Sequence, residues 1–224
     1  MNETPDFDIM GLDEIEIENT SVDDIDSENI NLIFVGVDCS GSMIQYVKDM
    51  FDSLTEFKTA IANSKEADEI LVARANFSGG ITVGGYKKIS EFDAAYSASG
   101  STALYDVICE GKNKLITYMN FLKNQGMRVK AVFAIFSDGE DSSSKKNLHD
   151  AVTSLKELNA AEITTAFISF GGNAAQVAKA VGFKNILNVG SSAQELRKAF
   201  SCLSKSVIES SKSIVVGTDD FFVI

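Results

Sequence analysis

The stretch 31–38, Asn-Leu-Ile-Phe-Val-Gly-Val-Asp, decides the fold, because its apolar residues are consecutive and the run stops on an acid. A strand with one wet face alternates apolar and polar residues. A continuous run needs cover on both faces, as parallel strands have at the centre of an α/β sheet. Residues 129–138, VKAVFAIFSD, repeat the design, and EITTAFISF (162–170) and NILNVG (185–190) are shorter versions of it. Between these runs the apolar spacing changes from continuous to three and four. Val47, Met50, Phe51, Leu54, Phe57 and Ile61 mark a helix over about 44–64, and Leu104, Val107, Ile108, Leu115, Ile116, Met119 and Leu122 mark another over about 103–124. Further helices are expected near 145–158, from Asn173 after Gly171-Gly172, and over about 193–211. EILVARANF (69–77) and ITVGGYKKI (81–89) read as a strand and an antiparallel edge, with Gly84-Gly85 offering the positive φ of a tight hairpin. Strand and helix alternate throughout. The expectation is an α/β protein with a doubly wound, mostly parallel sheet, one antiparallel edge strand, and helices on both faces.

The chain of 224 residues fits one such domain over 31–212, preceded by a leader, 1–30, and followed by a tail, 213–224. With 45% apolar and 23% charged residues it reads as globular. The formal charge of −12 is local: of 32 acidic residues, eleven lie in 1–30 with no Lys or Arg, leaving 21 against 20 basic residues. Without clustered Lys and Arg, nucleic-acid binding is not expected. No apolar run reaches the roughly 18 residues of a membrane span, and the start lacks a basic segment ahead of an apolar one, so neither a span nor a secretion signal is expected. Cys39, Cys109 and Cys202 are odd in number and far apart, which fits a reducing cytoplasm better than a disulfide framework. Glu14-Ile15-Glu16-Ile17-Glu18 alternates with period two. It reads as a solvated acidic tail first, and second as a segment that adds as a strand or lies on a groove. The end, TDDFFVI, leaves docking on this domain, docking on a partner, and fraying all open.

In an open α/β sheet the ligand crevice lies beyond the carboxyl ends of the strands. Three segments rich in hard oxygen donors fall there: Asp38-Cys39-Ser40-Gly41-Ser42-Met43, Gly100-Ser101-Thr102, and Ser137-Asp138-Gly139-Glu140-Asp141. Two carboxylates and three hydroxyls meeting at one point suit a small hard cation, Mg2+ rather than Zn2+, with Mn2+ and Ca2+ as alternatives. Gly41 lets the chain bend so that Ser40 and Ser42 reach one ion. The following helix adds its positive end, which favours anions at the same place.

DCSGSM (38–43), SGSTALYD (99–106) and FSDGED (136–141), in this order and separation, resemble the three segments of the metal-ion-dependent adhesion site of von Willebrand factor type A domains. The resemblance covers about residues 31–211. It implies that Ser40 and Ser42 bind a metal directly, that Asp38 and Asp138 hold it mainly through water, and that Thr102 joins when ligand is bound. It implies an open coordination position for a Glu or Asp of a partner protein. It also implies a role beside an AAA+ ATPase, kinase or phosphatase or in a stress-response assembly, or as an adhesin when secreted, and the missing secretion signal favours the first, in an intracellular bacterial or phage-type setting. The leader and tail then become candidate docking or autoinhibitory elements.

Other features have plainer readings. Glu140 and Asp141 read as a solvated loop, Cys39 as a small packed side chain, His149 as a surface residue, and Lys145-Lys146 as helix-start decoration. An aspartyl phosphatase needs a second acid two residues after the first, where this chain has Ser40. A Ser40 hydrolase would need His149 as base, and nothing else supports a triad. The expectation is therefore a binding module without catalysis, with Mg2+-dependent self-assembly second and a phosphohydrolase third.

Overall fold

Because the first strand is apolar on both sides, each face of the sheet takes a helical layer. The computed structural model describes residues 27–64, 69–170, 173–190, 192–212 and 220–223. Seven strands form one sheet: β1 (Asn29–Asp38), β2 (Glu69–Phe77), β3 (Ile81–Val83), β4 (Lys87–Lys88), β5 (Arg128–Ser137), β6 (Thr164–Phe170) and β7 (Asn185–Val189). Their order is β3-β2-β1-β5-β6-β7, with β4 also pairing with β2. β1, β2, β5, β6 and β7 are mutually parallel; β3 and β4 run antiparallel to β2.

Ile30, Leu32 and Phe34 of β1 face a core closed by α2 (Leu104–Asn124), α3 (Leu148–Ala160) and α4 (Ala174–Val181). Ile33, Val35 and Val37 face the opposite core, closed by α1 (Val47–Ala62) and α5 (Ala193–Lys212). The doubly wound sheet, its antiparallel edge and its two helical layers are as the sequence leads one to expect. α2 approaches the sheet closely because residue 111 is glycine: a Cβ there would lie 2.4 Å from the Phe34 ring and 2.9 Å from the Phe133 ring. The sheet order reverses at β1. The chain moves out to β2 on one side, then crosses back to β5 on the other, so the ends of β1 and β5 flank the switch point where such sheets bind ligands.

One local expectation is corrected. Gly84-Gly85 is not a hairpin turn: the turn is Ser78-Gly79-Gly80, immediately after β2, and Ser78 N–H donates to Gly80 O at 2.8 Å. β3 and β4 both lie along β2, so the glycines interrupt one antiparallel edge rather than reverse it. Gly84 N–H donates to Arg74 O at 2.9 Å, and positive φ occurs at Gly100, Gly126, Gly182 and Glu162 among the described residues. The first helix also opens differently. A 3-10 turn over Gly41–Tyr46 precedes α1, since Gly41 N–H is held by Gly100 O at 2.8 Å.

The described part of the tail docks on this domain. Phe221 is 3% exposed, its N–H donates to Asn185 Oδ1 at 2.9 Å, and Val223 N–H donates to Ser206 Oγ at 2.9 Å. The Glu14–Glu18 segment and Gly171-Gly172 lie outside the described residues. No helix among the described residues is long and apolar enough to cross a membrane.

Candidate metal centre

β1 ends on Asp38, fully buried, and two neighbours fix its carboxylate. Oδ1 accepts from Ser40 N–H at 2.8 Å, and Oδ2 accepts from the Ser137 hydroxyl at 2.6 Å. The first of these bonds bends the chain at once after the strand and turns the Ser40 side chain back over the strand end. Ser40 Oγ then lies 3.0 Å from Ser42 Oγ, and the Ser42 hydroxyl donates to Asp138 Oδ1 at 2.9 Å. Ser40, Ser42 and Asp138 thus form a hydrogen-bonded chain of side chains that the Ser40 N–H ties back to Asp38, and Ser137, from the end of β5, joins Asp38 separately. The oxygen separations match the cis edge of an Mg2+ octahedron, about 3.0 Å for Mg–O bonds of about 2.1 Å. On chemistry and spacing, these hydroxyl and carboxylate donors fit a small hard cation.

Thr102 lies beside Gly139, the residue after Asp138. It is 7% exposed, and its Oγ1 is 4.0 Å from where a Cβ on Gly139 would stand. It makes no direct hydrogen bond to the other four side chains. Its backbone is clamped instead: Thr102 N–H donates to Ser142 Oγ at 2.9 Å, and Thr102 O accepts from Ser142 N–H at 2.9 Å and Ser143 N–H at 3.0 Å.

The reason for the clamp is the start of α2, whose first N–H groups need acceptors from outside the helix. Asp141 Oδ1 accepts from Tyr105 N–H at 3.2 Å and Ser144 Oγ from Asp106 N–H at 3.0 Å, while the Ser144 hydroxyl also donates to Asp141. In return, the Asp106 carboxylate accepts from Lys145 N–H at 3.1 Å and Lys146 N–H at 2.8 Å. Asp141 therefore caps a helix instead of sitting in a solvated loop, and its charge favours the helix's positive end. Glu140 is exposed, as expected.

Three contributors were not assigned a part from sequence. Ser137 precedes Asp138 and orients Asp38. The Tyr96 hydroxyl donates to Asp38 O at 2.6 Å, and Ser99 N–H donates to Cys39 O at 2.7 Å, so residues 96–100 strap the Asp38 turn to the Thr102 loop. Ser137 stands inside a quoted motif and a hydroxyl beside an acid was a usable signal; Tyr96, 58 residues from Asp38, gave none. Cys39 is buried and its thiol is pushed up to about 11, mainly by burial, so it stays protonated as a packed side chain. His149 is an exposed residue on α3.

Burial is the main cause raising both Asp38 and Asp138 above the ordinary carboxylate range. Hydrogen bonds from Ser137 and Ser40 offset it at Asp38; at Asp138 the Ser42 bond offsets it and the Asp38 charge adds to it. A raised native value means that the native state binds protons the unfolded chain has lost, so without metal this pair costs stability as pH rises through that window. Asp38→Asn is expected to melt higher than the wild type in EDTA near pH 7.5, with the gap closing by about pH 4 as Asp38 protonates. Thermal melts at the two pH values check this, and an Asn variant less stable than wild type near pH 7.5 would refute it.

Neither a protein-family profile nor a curated protein matches the sequence. Solved structures do match in three dimensions. The pilus adhesin SpaC of Lactobacillus rhamnosus GG superposes with a TM-score of 0.65 at 13% identity, over 83% of this chain and 31% of that one. A von Willebrand factor type A protein from Catenulispora acidiphila gives 0.55 at 18% identity, over 81% and 43%. Proximal thread matrix protein 1 from the mussel byssus, with a zinc-occupied metal-ion-dependent adhesion site, gives 0.58 at 16% identity, over 80% and 46%. This chain spans less than half of each of these proteins. Its fold is that of a von Willebrand factor type A domain.

Proposed function

We propose that this domain is a divalent-cation-dependent protein-recognition module whose site binds an acidic side chain of a partner. The observation that carries the reading is the joining of Ser40, Ser42, Asp138 and Asp38 across the ends of β1 and β5. Ser40 and Ser42 would be the direct donors for Mg2+, Thr102 a third hydroxyl, and Asp38 and Asp138 the carboxylates that would hold it mainly through water. When bound, the ion supplies an electrophilic position able to accept an external carboxylate. The protein's own part is to hold the donors in place and to keep the set poor in charge, with two carboxylates against three neutral hydroxyls. The zinc-occupied adhesion site of the byssus protein supports a divalent ion in a fold of this kind.

A cytoplasmic setting for the protein is part of this proposal, supported by three cysteines that are odd in number and far apart in the sequence. Its partner there is a protein offering Glu or Asp, of the kind found in AAA+ ATPase, kinase, phosphatase or stress-response assemblies. The role is binding, not turnover: the sole histidine, His149, is exposed on α3, and the residue two after Asp38 is not an acid. Calorimetry with Mg2+ and Mn2+ tests the site, and capture of proteins on the immobilised chain in Mg2+, with elution by EDTA, tests the function. Saturable uptake of either ion and EDTA-released partners are expected. Absence of uptake, or partners that stay bound in EDTA, would refute the reading.

A further inference from the structure

At the far edge of the sheet, β7 pairs with β6 on one side, and among the described residues no strand pairs with its other backbone edge. Beside that edge lies a groove of about 330 Å³ against α5, lined by Leu187, Val189, Cys202 and Val223 and by the charged Glu195, Lys198 and Lys205. Leu187 and Val189 lie on the α5 side of the sheet, against the second core. Val223 remains 43% exposed although its backbone is tied to Ser206 and Cys202. Lys198 pairs with Glu195 at 3.3 Å within its own helix, while no ion pair of Lys205 occurs among the described residues.

We infer that this groove is the docking site of the chain's own segment Glu14-Ile15-Glu16-Ile17-Glu18. Laid extended along β7, the segment sends Ile15 and Ile17 to the same side, into the apolar groove, because side chains alternate along a strand. The other edge of β7 supplies main-chain partners, the usual mode of strand addition. The charges are complementary: residues 1–30 carry eleven acids and no base, and the groove's lining carries two lysines against one acid, Glu195. The connection is long enough. Eight residues separate Glu18 from Ser27, and the nine steps from one to the other span up to about 30 Å extended. Crossing from β1 to β7 takes three strand spacings, about 14 Å. Docking there covers an edge that would otherwise invite pairing between chains. It is independent of any cation.

Cys202 reports on the groove, because Cys39 and Cys109 are buried and Cys202 lines it. Iodoacetamide labelling of the full chain, resolved by mass spectrometry, should modify Cys202 on the order of ten-fold faster in the Ile15→Asp/Ile17→Asp variant than in wild type. A synthetic peptide of residues 10–22 added to that variant should slow labelling again, and Lys205→Glu in the wild-type background should speed it. EDTA should change none of these rates, which separates this inference from the metal site. Equal rates in wild type and the Ile15→Asp/Ile17→Asp variant would overturn it. Protection that rises with protein concentration would also overturn it, because the occupant would then be a second copy.

Discussion

Asp138→Ala is expected to lower the domain's affinity for Mn2+ at least about a hundred-fold, beyond the 10–100-fold typical for removing an outer hydrogen-bond partner of a metal ligand. Among the described residues two carboxylates, Asp38 and Asp138, join this cluster, and Asp138 is the one whose oxygen touches the Ser42 hydroxyl, at 2.9 Å. At an effective dielectric of about 20, a unit charge about 4 Å from another contributes about 4 kcal/mol. A hundred-fold loss needs about 2.8 kcal/mol, so the expectation stands after generous desolvation losses. Ser42→Ala removes a neutral donor and leaves the charge, so its loss should be smaller. Ser137→Ala, acting only through Asp38 Oδ2, should fall within the 10–100-fold range. Asp138→Ala should not unfold the protein, since the Asp38 and Asp138 charges oppose each other in the metal-free state. Calorimetric titration with Mn2+, paired with melts in EDTA, measures both quantities. An Asp138→Ala variant that binds Mn2+ within about three-fold of wild type would remove Asp138 from the site.

The central sheet was legible because NLIFVGVD and VKAVFAIFSD are apolar without interruption, and no soluble arrangement other than a doubly covered strand buries both sides of such a run. Asp38, Ser40, Ser42 and Asp138 were legible for a related reason: residues that follow a buried strand sit at the crevice whatever the loops do. The edge was not. β3 and β4 are three and two residues long, too short for their own pattern to say whether they pair with each other or with β2, and Gly84-Gly85 reads as the turn from sequence. The turn forms at Ser78-Gly79-Gly80 instead, where the chain leaves Phe77, the last residue of β2. Asp141 misled for the opposite reason. Its neighbours suggest a solvated loop, and only the fold shows that the start of α2 lies over it with uncapped N–H groups. Tyr96 and the docking of Phe221 on Asn185 depend on contacts between distant segments that no local periodicity encodes.

Phe133→Ala should be the most destabilising single truncation in the core, about 3–5 kcal/mol. Phe133 is fully buried in β5, stacks on Phe34 at 5.0 Å with rings 4° from parallel, and meets Phe183 at 6.3 Å. At about 2–4 °C per kcal/mol for a chain of this length, the melting temperature should fall by roughly 6–20 °C. The same ring pair sets the limit on α2. Gly111→Ala would place a methyl 2.4 Å from Phe34 and 2.9 Å from Phe133, an overpacking that costs about 1–3 kcal/mol, less the up to about 1 kcal/mol that alanine gains in a helix. Together the two changes should not add. With the Phe133 ring gone, Phe34 can tilt into the vacated space and the new methyl fills part of it, so the double variant should be more stable than the sum of the singles by about 1 kcal/mol or more. Denaturant unfolding of the four proteins of this cycle measures the coupling. Additivity within about 0.5 kcal/mol would mean that α2 does not rest on the Phe34–Phe133 stack. Its N-terminal clamp on Thr102 would then be held by the Asp141–Ser144 loop alone.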